Sequence, residues 1–361
     1  GVQTCALPIW PYQVRGRWYR PMSDARGYDE TGLASWYGDQ FNGRATSTGE
    51  RFDMHGLSAA HKTLPLPALV EVTNEANGRS IIVVGAGVIG VEYASMFAAL
   101  GVRVTIVDKR PVLLPFLDHE VSAALTYVLQ QSNVTMRLGE EVADIHIRDE
   151  LSKPVEVRLK SGKMLHAEAA LYSIGRVGAT DRMQLGNAGV KVDDRNRIPV
   201  NEHFQSNAEH VYAVGDVIGF PSLASTSYEQ GRAASRHAFG LRDDHSGGIG
   251  LFPYGIYTVP EISTIGKTED ELTAAGIAYE IGKANYREIS RGQIIGDRTG
   301  LLKIIFSPDD RKLLGVHIMG EGASELIHIG QVLMGHNGSI DYFADAVFNF
   351  PTLAEDRKST C

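Results

Sequence analysis

The chain has 361 residues, 43% of them apolar and 22% charged, a balance that suits a globular protein of two or three domains with ample core. A net charge of −8 argues against a basic nucleic-acid or anionic-membrane surface, so small-molecule partners are expected. Cys5 and Cys361 supply neither a disulfide framework nor a thiolate metal site, and without a secretion leader or an apolar run of about 18 residues the expectation is a cytoplasmic protein with no metal and no membrane.

Residues 1–10 and the tail 357–361 carry no periodicity, resemble translated read-through of sequencing adapters, and are set apart as extraneous segments. Residues 11–79 are rich in aromatics, glycine and turn formers, with short strand candidates at 34–37 and 68–73, and read as the opening of a small, incomplete β-barrel. The strings Gly32-Leu-Ala-Ser-Trp36-Tyr37-Gly38, Phe41-Asn-Gly43-Arg44, Thr48-Gly49-Glu50 and Ser58-Ala-Ala-His61-Lys62-Thr63-Leu64-Pro65 resemble the rare lipoprotein A (RlpA) family. That resemblance implies a double-psi β-barrel acting as a peptidoglycan lytic transglycosylase, with Glu50 as the acid on a glycosidic bond and His61 in support. The Asp which that family carries after its Asn-Gly-Arg turn is missing beyond Asn77-Gly78-Arg79, as are the later strands. Such a barrel keeps open edges, and Glu50 and His61 then read as surface residues of a fragment.

From Ser80 the pattern changes to alternating strands and helices, the order of a parallel sheet, and predicts a Rossmann-type α/β NAD(P)-binding domain over residues 80–197. An apolar strand, 80–84, runs into Gly85-Ala86-Gly87-Val88-Ile89-Gly90, with a helix predicted over 91–100. Gly85 permits the tight bend, Gly87 lets a pyrophosphate approach the backbone, and Gly90 lets helix and strand pack closely, while the helix end presents N–H groups and a positive dipole. A second strand, 103–107, ends in Asp108, about 20 residues past the glycines, where a carboxylate can take the adenosine ribose hydroxyls. Lys109 and Arg110 follow, either to pair with a 2′-phosphate or simply to be solvated, so NAD(H) and NADP(H) both remain open.

Residues 198–246 contain an apolar strand candidate, 211–217, ending in Gly215-Asp216, where an Asp can hold a ribityl hydroxyl of a flavin. Residues 247–356 read as an α+β segment, with strands at 301–306 and 313–319 and a helix at 323–334, whose apolar content suggests a dimer face and hence a homo-oligomer.

Taken together, residues 80–355 resemble the pyridine nucleotide-disulfide oxidoreductases, and within them the transhydrogenating branch. The resemblance implies that Gly85, Gly87, Val88, Ile89, Gly90 and Glu92 form the nicotinamide nucleotide site, with Glu92 near the nicotinamide ribose and Gly175-Arg176 closing the pocket. It also implies that Asp216 with Leu223, Ala224 and Ser225 forms the second half of an FAD site, and that an interface domain begins near Gly255. Dithiol-using members carry a His where Phe348-Asn349-Phe350-Pro351 stands here, with Glu355 beyond it. Without that His or a Cys pair, disulfide reduction has neither proton shuttle nor thiols, so the expected chemistry is Si-specific hydride transfer between NADPH and NAD+ through FAD. No glycine-rich unit for the ADP half of FAD is read before Ser80, so weak or absent FAD retention and a truncated, chimeric chain are expected; a non-catalytic nucleotide-binding remnant is the alternative.

Overall fold

In the computed structural model residues 12–14, 17–20, 22, 44, 51, 79–148, 153–241 and 250–355 are described, and the chain divides into two units, residues 1–73 and 74–361. The described part of the first unit holds a short antiparallel hairpin, β1 (Tyr12–Val14) and β2 (Arg17–Tyr19), with Tyr12 opposite Tyr19. The expected strands at 34–37 and 68–73, the barrel itself, Glu50, His61 and the two extraneous ends lie outside the described residues.

The second unit begins with β3 (Ser80–Val84), α1 (Val88–Ala99), β4 (Arg103–Asp108), α2 (His119–Gln131) and β5 (Val134–Leu138). Three antiparallel strands follow, β6 (Val142–Ile147), β7 (Val155–Leu159) and β8 (Met164–Ala167), and then β9 (Ala169–Tyr172) returns to the first sheet. That sheet is parallel throughout, in the order β5-β4-β3-β9. Its central strands are apolar on both faces because both are covered. On one side Val83, Val104 and Ile106 meet Val91 and Ala94 of α1 and Val121, Leu125 and Leu129 of α2. On the other, Ile82, Val84 and Val107 meet Val155, Val157 and Leu159 of the β6-β7-β8 meander.

Helix α1 starts at Val88 instead of the predicted 91. Gly87 is its N-cap and accepts from the Val91 N–H at 3.0 Å, so the last three residues of the glycine motif already form its first turn.

The expected strand over 211–217 does not form. Tyr212 makes a single antiparallel bridge to Gln205, and Gly215–Ile218 coil into a 3₁₀ turn. The reason is local: Gly215 sits at φ +78°, and its N–H is spent on the Gln230 side chain at 2.6 Å, so no ladder propagates. Val190, Ile198 and Ala213 form a small core around this turn, and α3 (Ala224–Ala238) follows.

The last part comprises β10 (Tyr254–Ile256), β11 (Ile262–Gly266), α4 (Glu269–Ala275), β12 (Glu280–Asn285), α5 (Ser290–Ile295), β13 (Leu301–Phe306), β14 (Leu313–Met319), α6 (Ala323–Gly335) and α7 (Asp341–Asp345). Its five strands form one antiparallel sheet, β10-β11-β14-β13-β12. Ile265, Ile304, Val316 and Ile318 of the sheet pack against Ile327 of α6 and Phe343 of α7. Among the described residues no helix is long and apolar enough to cross a membrane.

Candidate functional site

The glycine motif occupies the corner where β3 ends and α1 begins, at the carboxyl edge of the parallel sheet. Each glycine answers to a different constraint. Gly85 lies at φ +111°, and a β-carbon there would stand 2.6 Å from the Ser173 carbonyl oxygen, just beyond β9. At Gly90 a β-carbon would stand 1.9 Å from the Gly85 carbonyl oxygen and 2.7 Å from Ser173 Oγ. These two are therefore packing glycines. Gly87 is different: its nearest neighbour would be Arg110 Nη2 at 3.9 Å, so the space before it is open. Val88, Ile89 and Gly90 head α1, whose first N–H groups have no partner four residues upstream within the helix and suit an anion.

Asp108, at the end of β4, is 7% exposed and fully engaged. One carboxylate oxygen accepts from the Ala86 N–H at 2.6 Å and Arg110 Nη2 at 2.7 Å; the other accepts from the Arg110 N–H at 2.8 Å and Nε at 2.9 Å. Burial pushes this carboxyl up, but the Arg110 bonds and the Ala86 N–H outweigh burial and hold it at about 2. The structure thus brings Asp108 to the turn, as the spacing predicts, with Arg110 chelated on it; Lys109 is exposed.

Glu92 accepts from the Tyr257 N–H at 2.8 Å, and Ser95, one turn on, accepts from the Val259 N–H at 3.1 Å, which ties α1 to the segment between β10 and β11. Gly175 lies at φ +99° after β9, and Arg176 forms an ion pair with Asp216 at 2.5 Å, both side chains more than half exposed. Leu223 is the N-cap of α3, with Ala224 and Ser225 in its first turn.

Sequence reasoning misses a buried charge cluster. Lys303 of β13 has a fully buried side chain held by Asp118, Glu120 and Glu269. Burial works against its charge, but the three carboxylates raise its pKa overall. Asp118, His119 and Glu269 are close enough to share an ion, but Lys303 already supplies the positive charge between Asp118 and Glu269. The available signal was a single Lys inside the otherwise apolar Leu301–Phe306.

A parallel sheet with a glycine corner over a helix N-terminus, an acid on the neighbouring strand and an appended antiparallel sheet defines a Rossmann-type dinucleotide-binding protein. Residues 46–231 match the pyridine nucleotide-disulphide oxidoreductase family and residues 252–361 its dimerisation domain. The chain belongs to that family. The match begins upstream of Ser80, inside the segment read as a barrel fragment.

Among curated relatives, the soluble pyridine nucleotide transhydrogenase of Mycobacterium bovis (BCG) is 54% identical over 280 residues, covering 78% of this chain and 59% of the relative. The protein of the same name from Vibrio atlanticus is 47% identical over 279 residues, covering 76% of this chain and 59% of the relative. The chain thus spans 59% of the length of each of these two relatives. Among solved structures, LpdA from Mycobacterium tuberculosis superposes with a TM-score of 0.71 at 26% identity, covering 78% of this chain and 61% of that one. The HOCl-induced flavoprotein disulfide reductase RclA from Escherichia coli gives 0.72 at 26% identity, covering 78% and 64%.

Proposed function

We propose that residues 80–355 are the nicotinamide-binding and dimerisation portions of a flavoprotein oxidoreductase that transfers hydride between NADPH and NAD+. The observation that carries this reading is the strand, glycine corner and helix of Ser80–Ala99, with Asp108 bonded back to Ala86 of the turn. Relatives named as transhydrogenases support the choice of reaction. When bound, the nicotinamide and flavin groups supply the hydride chemistry itself. The chain's own residues bind and orient: the N–H groups of Val88, Ile89 and Gly90 receive the pyrophosphate, Gly87 leaves it room, and Glu92, Gly175 and Arg176 border the nicotinamide end. Asn349 and Phe350 stand before Pro351 in the stretch where dithiol-using members carry a His, which favours transhydrogenation over disulfide reduction.

Asp216, Leu223, Ala224 and Ser225 are the residues suited to the flavin, with Asp216 on a turn and α3 starting just beyond it. Asp216 is already paired with Arg176, which supports weak or absent FAD retention. The match of residues 252–361 to a dimerisation domain supports a homodimer, and the nucleotide partners favour a cytoplasmic location.

Calorimetric titration of the folded chain with NADH and with NADPH tests the site: saturable binding is expected, and flat titrations with both would overturn the proposal. A flavin absorption band in stoichiometric amount after purification would overturn the reading of weak FAD retention.

A further inference from the structure

Strand β6 is the edge of the β6-β7-β8 meander, with β7 on one side and, among the described residues, no strand on the other. The Arg148 N–H donates to the Pro154 carbonyl at 2.8 Å, so the backbone groups of His146 and Asp144, at alternate positions, also face β7. Those of Ile145 and Ile147, between them, face outward. Residues 142–148 lack the usual guards of an exposed edge: they include no Lys and no Pro, and the bulge between Val142 and Asp144 lies at the start of the strand. Ile147 is 73% exposed and Ile145 36%, although both lie on the face of Val155 and Val157, which covers the parallel sheet. On the opposite face Asp144 holds His146 at 2.8 Å and Arg148 holds Glu156 at 3.0 Å, so an acid and a base flank His146 two residues away on either side.

We propose that β6 is a docking edge for a second copy of this chain, pairing antiparallel with its own counterpart about a two-fold axis at His146. In that register Ile145 of each copy stands opposite the partner's Ile147, and their outward backbone groups make four N–H to carbonyl bonds. The same pairs bring exposed isoleucines side by side on the inner face. Asp144 of each copy comes opposite the partner's Arg148, at positions without mutual backbone bonds, where side chains across an antiparallel ladder lie closest. The charges choose the register. An axis at Ile147 would set His146 against Arg148, and one at Ile145 would set Val142 against Arg148. Five residues a side make a small contact, so the association is of the weak, concentration-dependent kind. It is independent of the nucleotide site and lies outside residues 252–361, the dimerisation domain.

The test is sedimentation of the full chain over a concentration series, beside Ile147→Lys, Asp144→Lys and Arg148→Asp, with circular dichroism as the check on folding. The unmodified chain is expected to gain mass with concentration, to at least about twice that of Ile147→Lys, which sets a charge on the paired edge. Asp144→Lys and Arg148→Asp are each expected to lose the association alone, because each sets like charges opposite one another. Mixed in equal amounts they are expected to regain it, since the introduced Lys and Asp then face one another across the axis. Arg148→Asp leaves Glu156 its pair with Arg158 at 3.0 Å, so the meander keeps one of its two ion pairs there. A wild-type mass that matches Ile147→Lys at every concentration overturns the inference, as does a mixture that stays dissociated. Should either charge variant not fold, His146→Cys decides the register. Placed on the axis, it is expected to form a disulfide with its own counterpart under oxidation, read as the cross-linked peptide by mass spectrometry. Absence of that peptide from an associating chain overturns the proposed pairing.

Discussion

Lys303 Nζ lies 2.8 and 2.9 Å from the two carboxylate oxygens of Asp118, and both side chains are fully buried. The pair joins β13 of the antiparallel sheet to the N-cap of α2 beside the parallel sheet, residues 185 apart in sequence. Asp118 also accepts from the Glu120 N–H at 3.1 Å, so the carboxylate that caps the helix anchors the neighbouring sheet as well.

Removing the cation should therefore cost more than a surface pair would. Lys303→Met leaves buried Asp118 and Glu269 without their cation, while Glu120 keeps its pair with Lys283 at 2.7 Å, and stability is expected to fall by about 3–5 kcal/mol, the usual cost of stranding a buried charge. Urea unfolding of the variant checks it; a change below about 1 kcal/mol would show that the cluster is energetically silent.

Acidification should act first through His317. Its ring is buried, with Nε2 donating to the Lys267 carbonyl at 3.0 Å and Nδ1 accepting from the Thr264 hydroxyl, the arrangement of a neutral imidazole. Burial holds its pKa below the ordinary value, against the pull of Asp118 and Glu271 and with Lys303 opposing charge. A group with a lowered folded pKa stabilises above its unfolded value and loses that contribution as pH falls, so stability is expected to decline from about pH 6.5 downward. The lowered carboxyls of Asp118 and Asp108 add a second loss below about pH 4. Lys303, raised, contributes the opposite sign and holds until the alkaline range. Melting temperature against pH for the wild type and for His317→Gln reads this directly, and the decline between pH 6.5 and 5 should vanish in the variant.

The glycines of the corner should separate into two kinds. Gly90→Ala drives a methyl into the Gly85 carbonyl and is expected to destabilise the chain by about 1–3 kcal/mol and to abolish nucleotide binding through the distorted turn. Gly87→Ala meets open space and is expected to leave the melting temperature within a few degrees while NADH affinity drops at least about ten-fold, because the methyl stands where a phosphate approaches. Unchanged affinity in Gly87→Ala would remove the phosphate from that position.

Glu92 offers a test of the nicotinamide end. Glu92→Gln keeps an amide oxygen for the Tyr257 N–H, so stability should hold within about 0.5 kcal/mol, while NADH affinity falls if the carboxylate meets the ribose. A variant that binds as the wild type does would limit Glu92 to tying α1 to Tyr257.

The sequence by itself determined the features that rest on neighbours along the chain. Apolar runs at Ser80–Val84 and Leu313–Met319 mark strands, the spacing of Gly85, Gly87 and Gly90 marks a corner, and the periodicity of Ala323–Gly335 marks a helix, since each depends on backbone conformation and alternation within a few residues. Tertiary structure decided whatever depends on a distant partner. Gly215–Ile218 reads as a strand end but coils because Gln230 takes the Gly215 N–H. Asp108 reads as a ribose ligand, but folding brings the Ala86 N–H to one of its oxygens while Arg110 chelates the carboxylate. Lys303 reads as an interruption in an apolar strand until α2 and α4 bring three carboxylates to it. Hydrogen bonds and ion pairs across a fold form only where packing has placed both partners, and local pattern carries no record of that distance.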